Sequence, residues 1–282
     1  MEHIETGTEE LLCDLIQRVA IVTLNKPNKK NALGDILTPA LRALLPQLER
    51  RSDVGCIMIT GAGNAFCSGG DVSEMGRGSV ADTQPMPLEA RIDELTQKQL
   101  ALTGCLYDLN KPTLAALPGA AAGAGFSIAL ACDLRIASAD AFMLTAFRNV
   151  GLSGDYGASW FLPRLIGLAR AKSLLYLSPR LTAQEAERMG LIDRVFPANS
   201  FRDDALNYAT EIANGPTEAL CRMKLNLQSG LTQELPEALA LEARHMIESG
   251  GGEEARKAIR AFMEKRIPIF HPNTATAEGE KL

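Results

Sequence analysis

The sequence predicts an α/β fold with parallel strand pairing, followed by a helical C-terminal region. Three observations carry this. Short β-branched or apolar runs end in turn residues. Between them lie segments whose Leu and Ala recur at helical spacing. From Asp203 onward the pattern is almost wholly helical. The expected organisation is a core over 1–202 and a helical region over 203–282.

Taken in chain order, Val19 to Asn25 (VAIVTLN) reads as a strand stopped by Lys26-Pro27-Asn28, and Leu37 to Arg50 as a helix. Gly55 to Gly61 is a buried strand. Asp71 to Met75 begins a short helix, Gly76 to Pro87 is a loop by composition, and Leu88 to Leu109 returns to helical period. Thr113 to Leu117 is a strand after Pro112, Gly125 to Cys132 a helix of small residues, and Leu134 to Ala137 another strand. Thr182 to Met189 (TAQEAERM) is a capped helix stopped by Gly190, and Leu191 to Val195 a further strand. The tail from Ala275 reads as frayed.

Composition excludes several classes. The chain has 282 residues, 46% hydrophobic and 22% charged, which suits a folded globular protein. A net charge of −5 argues against coating nucleic acid while leaving room for a local basic pocket. No apolar run reaches the ~18 residues of a membrane helix, and the acidic N-terminus is unlike a signal peptide. The six cysteines, at 13, 56, 67, 105, 132 and 221, form no CxxC, so they read as reduced thiols filling the core of a cytoplasmic protein. The three histidines, His3, His245 and His271, all lie outside the Gly- and Ala-rich middle of the chain. Proton transfer there falls to carboxylates.

Three segments carry chemistry. Gly61 to Asp71 (GAGNAFCSGGD) follows a strand and could aim backbone N–H groups into a cleft; it equally suits a loop leading into a helix capped by Asp71. It lacks the ending of a phosphate-binding P-loop. Ala115 to Ala131 has 11 Ala or Gly among 17 residues, and its helix start could hold a phosphate or a developing oxyanion. The third glycine of a dinucleotide fingerprint is absent, and tight helix-on-sheet packing is the plainer use of such residues. The third segment, Asn149 to Gly157 (NVGLSGDYG), places Asp155 among glycines ahead of an apolar helix. Such a carboxylate would have a raised pKa, suited to taking and returning a proton. It could also serve as an ordinary N-cap.

Together these segments resemble the crotonase superfamily, the enoyl-CoA hydratase/isomerase family. The matching pieces are LNKPNKKNAL (24–33), AFCSGGD (65–71), KPTLAALPGAAAGAGFSIALACDLRIAS (111–138), VGLSGDYGASWFLPRLIG (150–167), LTAQEAERMGLIDRVF (181–196) and AFMEKR (261–266). The resemblance implies a spiral of repeated ββα units with a C-terminal helical trimerisation region, in a homotrimer or dimer of trimers. It implies a coenzyme A thioester as substrate, with no cofactor beyond the coenzyme A it carries, no nucleic acid and no membrane. Carried onto this sequence, the oxyanion hole consists of the Ser68 and Ala124 N–H groups. Lys30, Gly69, Gly70, Asp71, Gly123, Phe147 and Lys265 are the expected substrate-binding residues, with Lys26 and Lys29 beside Lys30 meeting the phosphates.

Two departures bear on the reaction. Where hydratases of this family carry two glutamates, this chain has Ser127 and Phe147. Asp155 remains, at a position that is acidic in family members that move double bonds or displace halide. The expected reaction is therefore isomerisation of an enoyl-CoA through an enolate, with Asp155 as the proton carrier. The alternatives are a hydratase with an unusual acid/base set, or a catalytically weak acyl-CoA-binding homologue. Halide displacement fits poorly, because no His lies near and Phe147 stands where that chemistry uses Trp.

Overall fold

The computed structural model describes residues 1–71 and 86–271. The helix expected from Asp71, most of the Gly76–Pro87 loop and the tail from Ala275 lie outside the described residues.

Strands β1 (Glu2–His3), β2 (Leu11–Ile16) and β3 (Val19–Leu24) pair antiparallel. β3 continues in parallel to β4 (Cys56–Gly61), then β6 (Thr113–Leu117), β8 (Leu134–Ser138) and β11 (Arg194–Phe196), closing a seven-stranded sheet. Between these strands the chain repeatedly visits a second, four-stranded sheet. β5 (Ala65–Cys67), β7 (Ala120–Ala122) and β9 (Phe142–Leu144) pair in parallel, and β10 (Leu181–Thr182) adds antiparallel to β9. Successive strands from β4 to β9 thus alternate between sheets, one pair per turn of a spiral.

Helices fill the turns: α1 (Leu37–Arg50), α2 (Leu88–Gln99), a π turn over Leu100–Gly104 running into α3 (Cys105–Asp108), α4 (Ala124–Ala131), α5 (Ala158–Ile166), α6 (Leu168–Leu177) and α7 (Ala183–Arg188). Thr182 and Glu185 cap α7 reciprocally, as its sequence predicts. Leu191 and Ile192 are buried in the turn after α7, and the strand starts only at Arg194. The apolar pair marks a buried turn there, so the expected strand over 191–195 begins three residues late.

The large sheet is apolar on both faces, which is why its strands read as continuous hydrophobic runs. On one face Val22, Leu24, Ile57, Ile59 and Leu117 join the main core beneath α1 and α4. On the other, Val19, Cys56, Met58, Leu114 and Ile136 pack under Phe201, Ala205, Ala209 and Ala213 of α8 (Phe201–Ala213). The expected boundary at 202/203 falls inside α8, so this helix belongs with the core. Beyond it, α9 (Thr217–Gly230) and α10 (Leu235–Gly250) bury no residue, and α11 (Glu253–Met263) buries only Ala261. Leu227, Ile247 and Phe262 are about three-quarters exposed, at 75%, 78% and 76%. No helix among the described residues is long and apolar enough to cross a membrane.

Candidate active site

The site forms where the ends of β5 and β7 meet the turn before α5. Its first wall begins at Asn31, which is fully buried in a left-handed conformation (φ 56°). Its side chain accepts from the Lys26 N–H (2.9 Å) and donates to the carbonyls of Ala62 (3.0 Å) and Ala65 (2.8 Å). These bonds pin the Lys26–Lys30 turn against β4 and β5. The pinned turn offers the Lys30 carbonyl to the Ser68 N–H at 3.0 Å.

That bond departs from the expectation for Ser68: its N–H is already used inside the chain. Leu33 then straddles Gly70, donating to Gly69 O (2.8 Å) and accepting from Asp71 N–H (2.9 Å). Gly70 lies between these bonds on the opposite side of the strand, and among the described residues its N–H has no partner. The Ala124 N–H opens α4 and likewise has none. Gly70 and Ala124 are therefore the two residues whose N–H groups remain available as a donor pair.

Close backbone approach explains the glycines. Gly69 has φ 97°, and a Cβ there would stand 3.0 Å from Ala122 O and 3.3 Å from Ala124 N. Gly123, at φ 52° and ψ −124°, adopts a conformation that side chains exclude. The Phe147 ring is buried alongside, 4.0 Å from where a Gly123 Cβ would stand and 3.9 Å from one on Gly154. The structure thus brings Gly69, Gly70, Gly123, Ala124, Phe147 and the Asp155 turn together.

Asp155 does not cap α5. The N-cap is Gly157, which has no side chain to donate or accept, and Asp155 contributes only its carbonyl, accepting the Ala158 N–H at 3.2 Å. The Asp155 carboxyl keeps Oδ1 buried with no hydrogen-bond partner. Burial alone raises its pKa from the ordinary value to about 6. The nearby Cys67 thiol is driven up to about 12, first by burial, and stays neutral. Ser127, fully buried on α4, turns its hydroxyl to the Asp155 carbonyl at 3.0 Å.

The basic cluster differs from expectation. Asp71 is buried and binds Lys29 (2.6 Å) and Lys26 (3.6 Å), so its carboxylate clamps these lysines. Lys30 stays exposed, with no ion pair among the described residues. Lys265, exposed at the end of α11, forms no described hydrogen bond or ion pair with the Lys26–Lys30 turn. The histidines engage Asp14, Asn226 and Thr217, none of them in the site. All six cysteines are free, and the described residues hold no metal-ligating cluster.

Sequence reasoning missed Asn31 and Gln99. Asn31 sits in a quoted motif but gives no sign of its three bonds. Gln99, whose side chain accepts the Tyr156 N–H at 3.0 Å, ends a helix otherwise exposed along its length.

A family model described as enoyl-CoA hydratase/isomerase matches residues 15–273. A Rhodobacter capsulatus relative named "Probable enoyl-CoA hydratase" is 37% identical over 257 residues, covering 91% of this chain and 96% of its own length. The 1,2-epoxyphenylacetyl-CoA isomerase of Escherichia coli is 34% identical over 263 residues, covering 93% and 98%. A crystal structure of an enoyl-CoA hydratase from Bacillus anthracis superposes with a TM-score of 0.84 at 28% identity, covering 93% of this chain and 98% of that one.

Proposed function

Because the chain belongs to the enoyl-CoA hydratase/isomerase family, we propose that it binds an acyl-CoA thioester and moves a double bond by proton transfer through Asp155. The thioester oxygen accepts from the Gly70 and Ala124 N–H groups. Ionised Asp155 removes a proton from the carbon next to the thioester of a 3-enoyl-CoA. The resulting dienolate carries its negative charge on that oxygen, where two fixed donors and the start of α4 face it. Asp155 returns the proton two carbons farther along, giving the 2-enoyl-CoA. Atoms balance, and no cofactor is needed.

The observation that carries this reading is the buried Asp155 Oδ1, which has no hydrogen-bond partner among the described residues. Its raised pKa, near 6, lets one group act as base and then as acid near neutral pH. Ser127 stands at one of the two positions where the family's hydratases carry glutamate, and its hydroxyl is engaged with a backbone carbonyl. The Phe147 ring occupies the other.

Hydration is the second reading, favoured by the names of most relatives, such as that from Rhodobacter capsulatus. A thioester panel followed by mass spectrometry separates the two. Isomerisation leaves the product mass unchanged, and a gain of one water overturns the isomerase reading.

The exposed apolar residues of α9, α10 and α11 support assembly as a homotrimer or a dimer of trimers. Lys30 meets the coenzyme A phosphates. The expected location is the cytoplasm.

A further inference from the structure

We infer that Gln99 and Ser127 are positioning residues that grip the Asp155–Tyr156 peptide unit at its two ends and so aim the Asp155 carboxyl. The inference rests on Asp155 being the proton carrier. The Ser127 hydroxyl donates to the Asp155 carbonyl at 3.0 Å, and the Tyr156 N–H donates to Gln99 Oε1 at 3.0 Å. These are the two polar groups of one peptide plane, held by side chains from α4 and α2.

The turn needs such a grip. Gly154 (φ 112°), Tyr156 (φ 49°) and Gly157 (φ 80°) all have positive φ. For Tyr156, which carries a side chain, that conformation is strained. A peptide plane between flexible glycines can rotate, and rotation would swing the Asp155 side chain with it. The surroundings oppose this. Tyr156 is 8% exposed, and its hydroxyl accepts from Arg42 Nη2 at 3.0 Å. Arg42 Nε donates in turn to the Lys98 carbonyl at 3.0 Å, tying α1 to the end of α2 beside Gln99. Gln99 is the only residue of α2 that is not exposed, and the π turn begins directly after it. Its single inward position is the one that meets the turn.

The grip acts on geometry and leaves charge alone. Among the described residues, the Cys67 thiol and the Tyr156 phenol feel the Asp155 charge, and Arg42 and Lys98 face that phenol. No described residue bonds Asp155 Oδ1. Replacing Gln99 by Ala therefore removes a bond without changing charge, whereas Glu keeps an acceptor and adds a negative charge beside Asp155.

The test measures kcat, KM and the pH profile of kcat with trans-3-hexenoyl-CoA for the wild type, Gln99→Ala, Gln99→Glu, Ser127→Ala and Asp155→Asn, with circular dichroism as a check on folding. Misplacement of a reacting group by about 1 Å costs up to ~10²-fold. Gln99→Ala should therefore lower kcat by about 10- to 100-fold with KM within about twofold. Its acidic limb should move down as water reaches the loosened carboxyl. Ser127→Ala should act in the same direction and less strongly. Gln99→Glu should recover kcat above the limb and move the limb up. This variant serves as the test if Gln99→Ala fails to fold. Wild-type kcat and limb in both Gln99 variants, with Asp155→Asn inactive, overturn the grip and leave the base standing. Wild-type turnover in Asp155→Asn overturns the base itself.

Discussion

Gly125 and Cys67 are so close that a Cβ on the glycine would stand 2.3 Å from the Cys67 carbonyl oxygen and 2.6 Å from its Cβ. The start of α4 is thus seated directly on the end of β5, and this contact sets the spacing between the Gly70 and Ala124 donors. Overpacking typically costs about 1–3 kcal/mol. A clash against backbone falls at the upper end, so Gly125→Ala should lower stability by about 3 kcal/mol. Folded variant protein should also lose turnover, because the donors are pushed apart. Denaturant unfolding and a rate assay check both, and wild-type values in each would contradict the spacing argument.

Asp155→Asn keeps the shape of the turn and removes the proton carrier. Turnover should fall by about 10²- to 10⁴-fold, while thioester binding survives on backbone donors. Stability should move the other way. The folded carboxyl, near 6, holds its proton more tightly than the unfolded one, so its ionisation opposes folding. That cost is absent below about pH 4, grows as pH rises toward about 6, and is complete above it. The full shift corresponds to roughly 3 kcal/mol, reduced to about 1–2 because the residue is partly exposed and an amide there also wants partners. Thermal melts should show Asp155→Asn more stable than wild type at pH 7.5, with no gain at pH 4.

The rate itself should follow the same ionisation. With Asp155 as base, kcat should rise about tenfold per pH unit below about 6 and then level. A limb near the ordinary aspartate value would mean that the carboxyl is hydrated and the pocket more open than described.

Lys30 is exposed and unpaired among the described residues, whereas Lys26 and Lys29 bind Asp71. Lys30→Ala should therefore weaken thioester binding by about threefold to tenfold and flatten its dependence on salt. Isothermal titration with free coenzyme A at two ionic strengths reads both. An unchanged affinity and salt slope would make Lys30 a solvated surface lysine.

The apolar residues displayed by α9, α10 and α11 should be covered in solution. Sedimentation equilibrium should return the mass of a trimer or hexamer. The mass of a single chain at micromolar concentration would contradict the assembly.

The strands of the large sheet were legible because both of their faces are buried, so Val19–Leu24, Cys56–Gly61 and Thr113–Leu117 stand out as apolar runs. The small sheet was not. β7 is three alanines, and a helix, a turn or a strand can all be written in alanine. Only its pairing with β5 and β9, as of Ala121 with Cys67 and Met143, makes it a strand, and those partners lie in the neighbouring turns of the spiral. Asp155 was legible because it is a lone carboxylate among glycines, and its missing hydrogen bond matches that reading. The Ser68 N–H is taken by the Lys30 carbonyl, and the N–H without a partner among the described residues lies two residues on, at Gly70. Which N–H faces the pocket depends on how Leu33 and Lys30 pair with that loop, a register between distant segments that local sequence does not encode. Gln99 escaped notice because a glutamine at the end of a polar helix looks like any other.

The two proposed thioester donors are backbone groups, which makes this half of the site nearly invisible to mutational scanning. Ala124 is already alanine, and Gly70 has no side chain to truncate. A survey of side-chain truncations would map Asp155, the Gln99 and Ser127 side chains that aim it and the Lys30 charge, and would leave the donor half of the site blank. The positions that report on the donors are their glycine neighbours, Gly69, Gly123 and Gly125, where an added methyl group or a forbidden φ displaces the main chain. Damaging substitutions should therefore concentrate at residues that never touch the substrate.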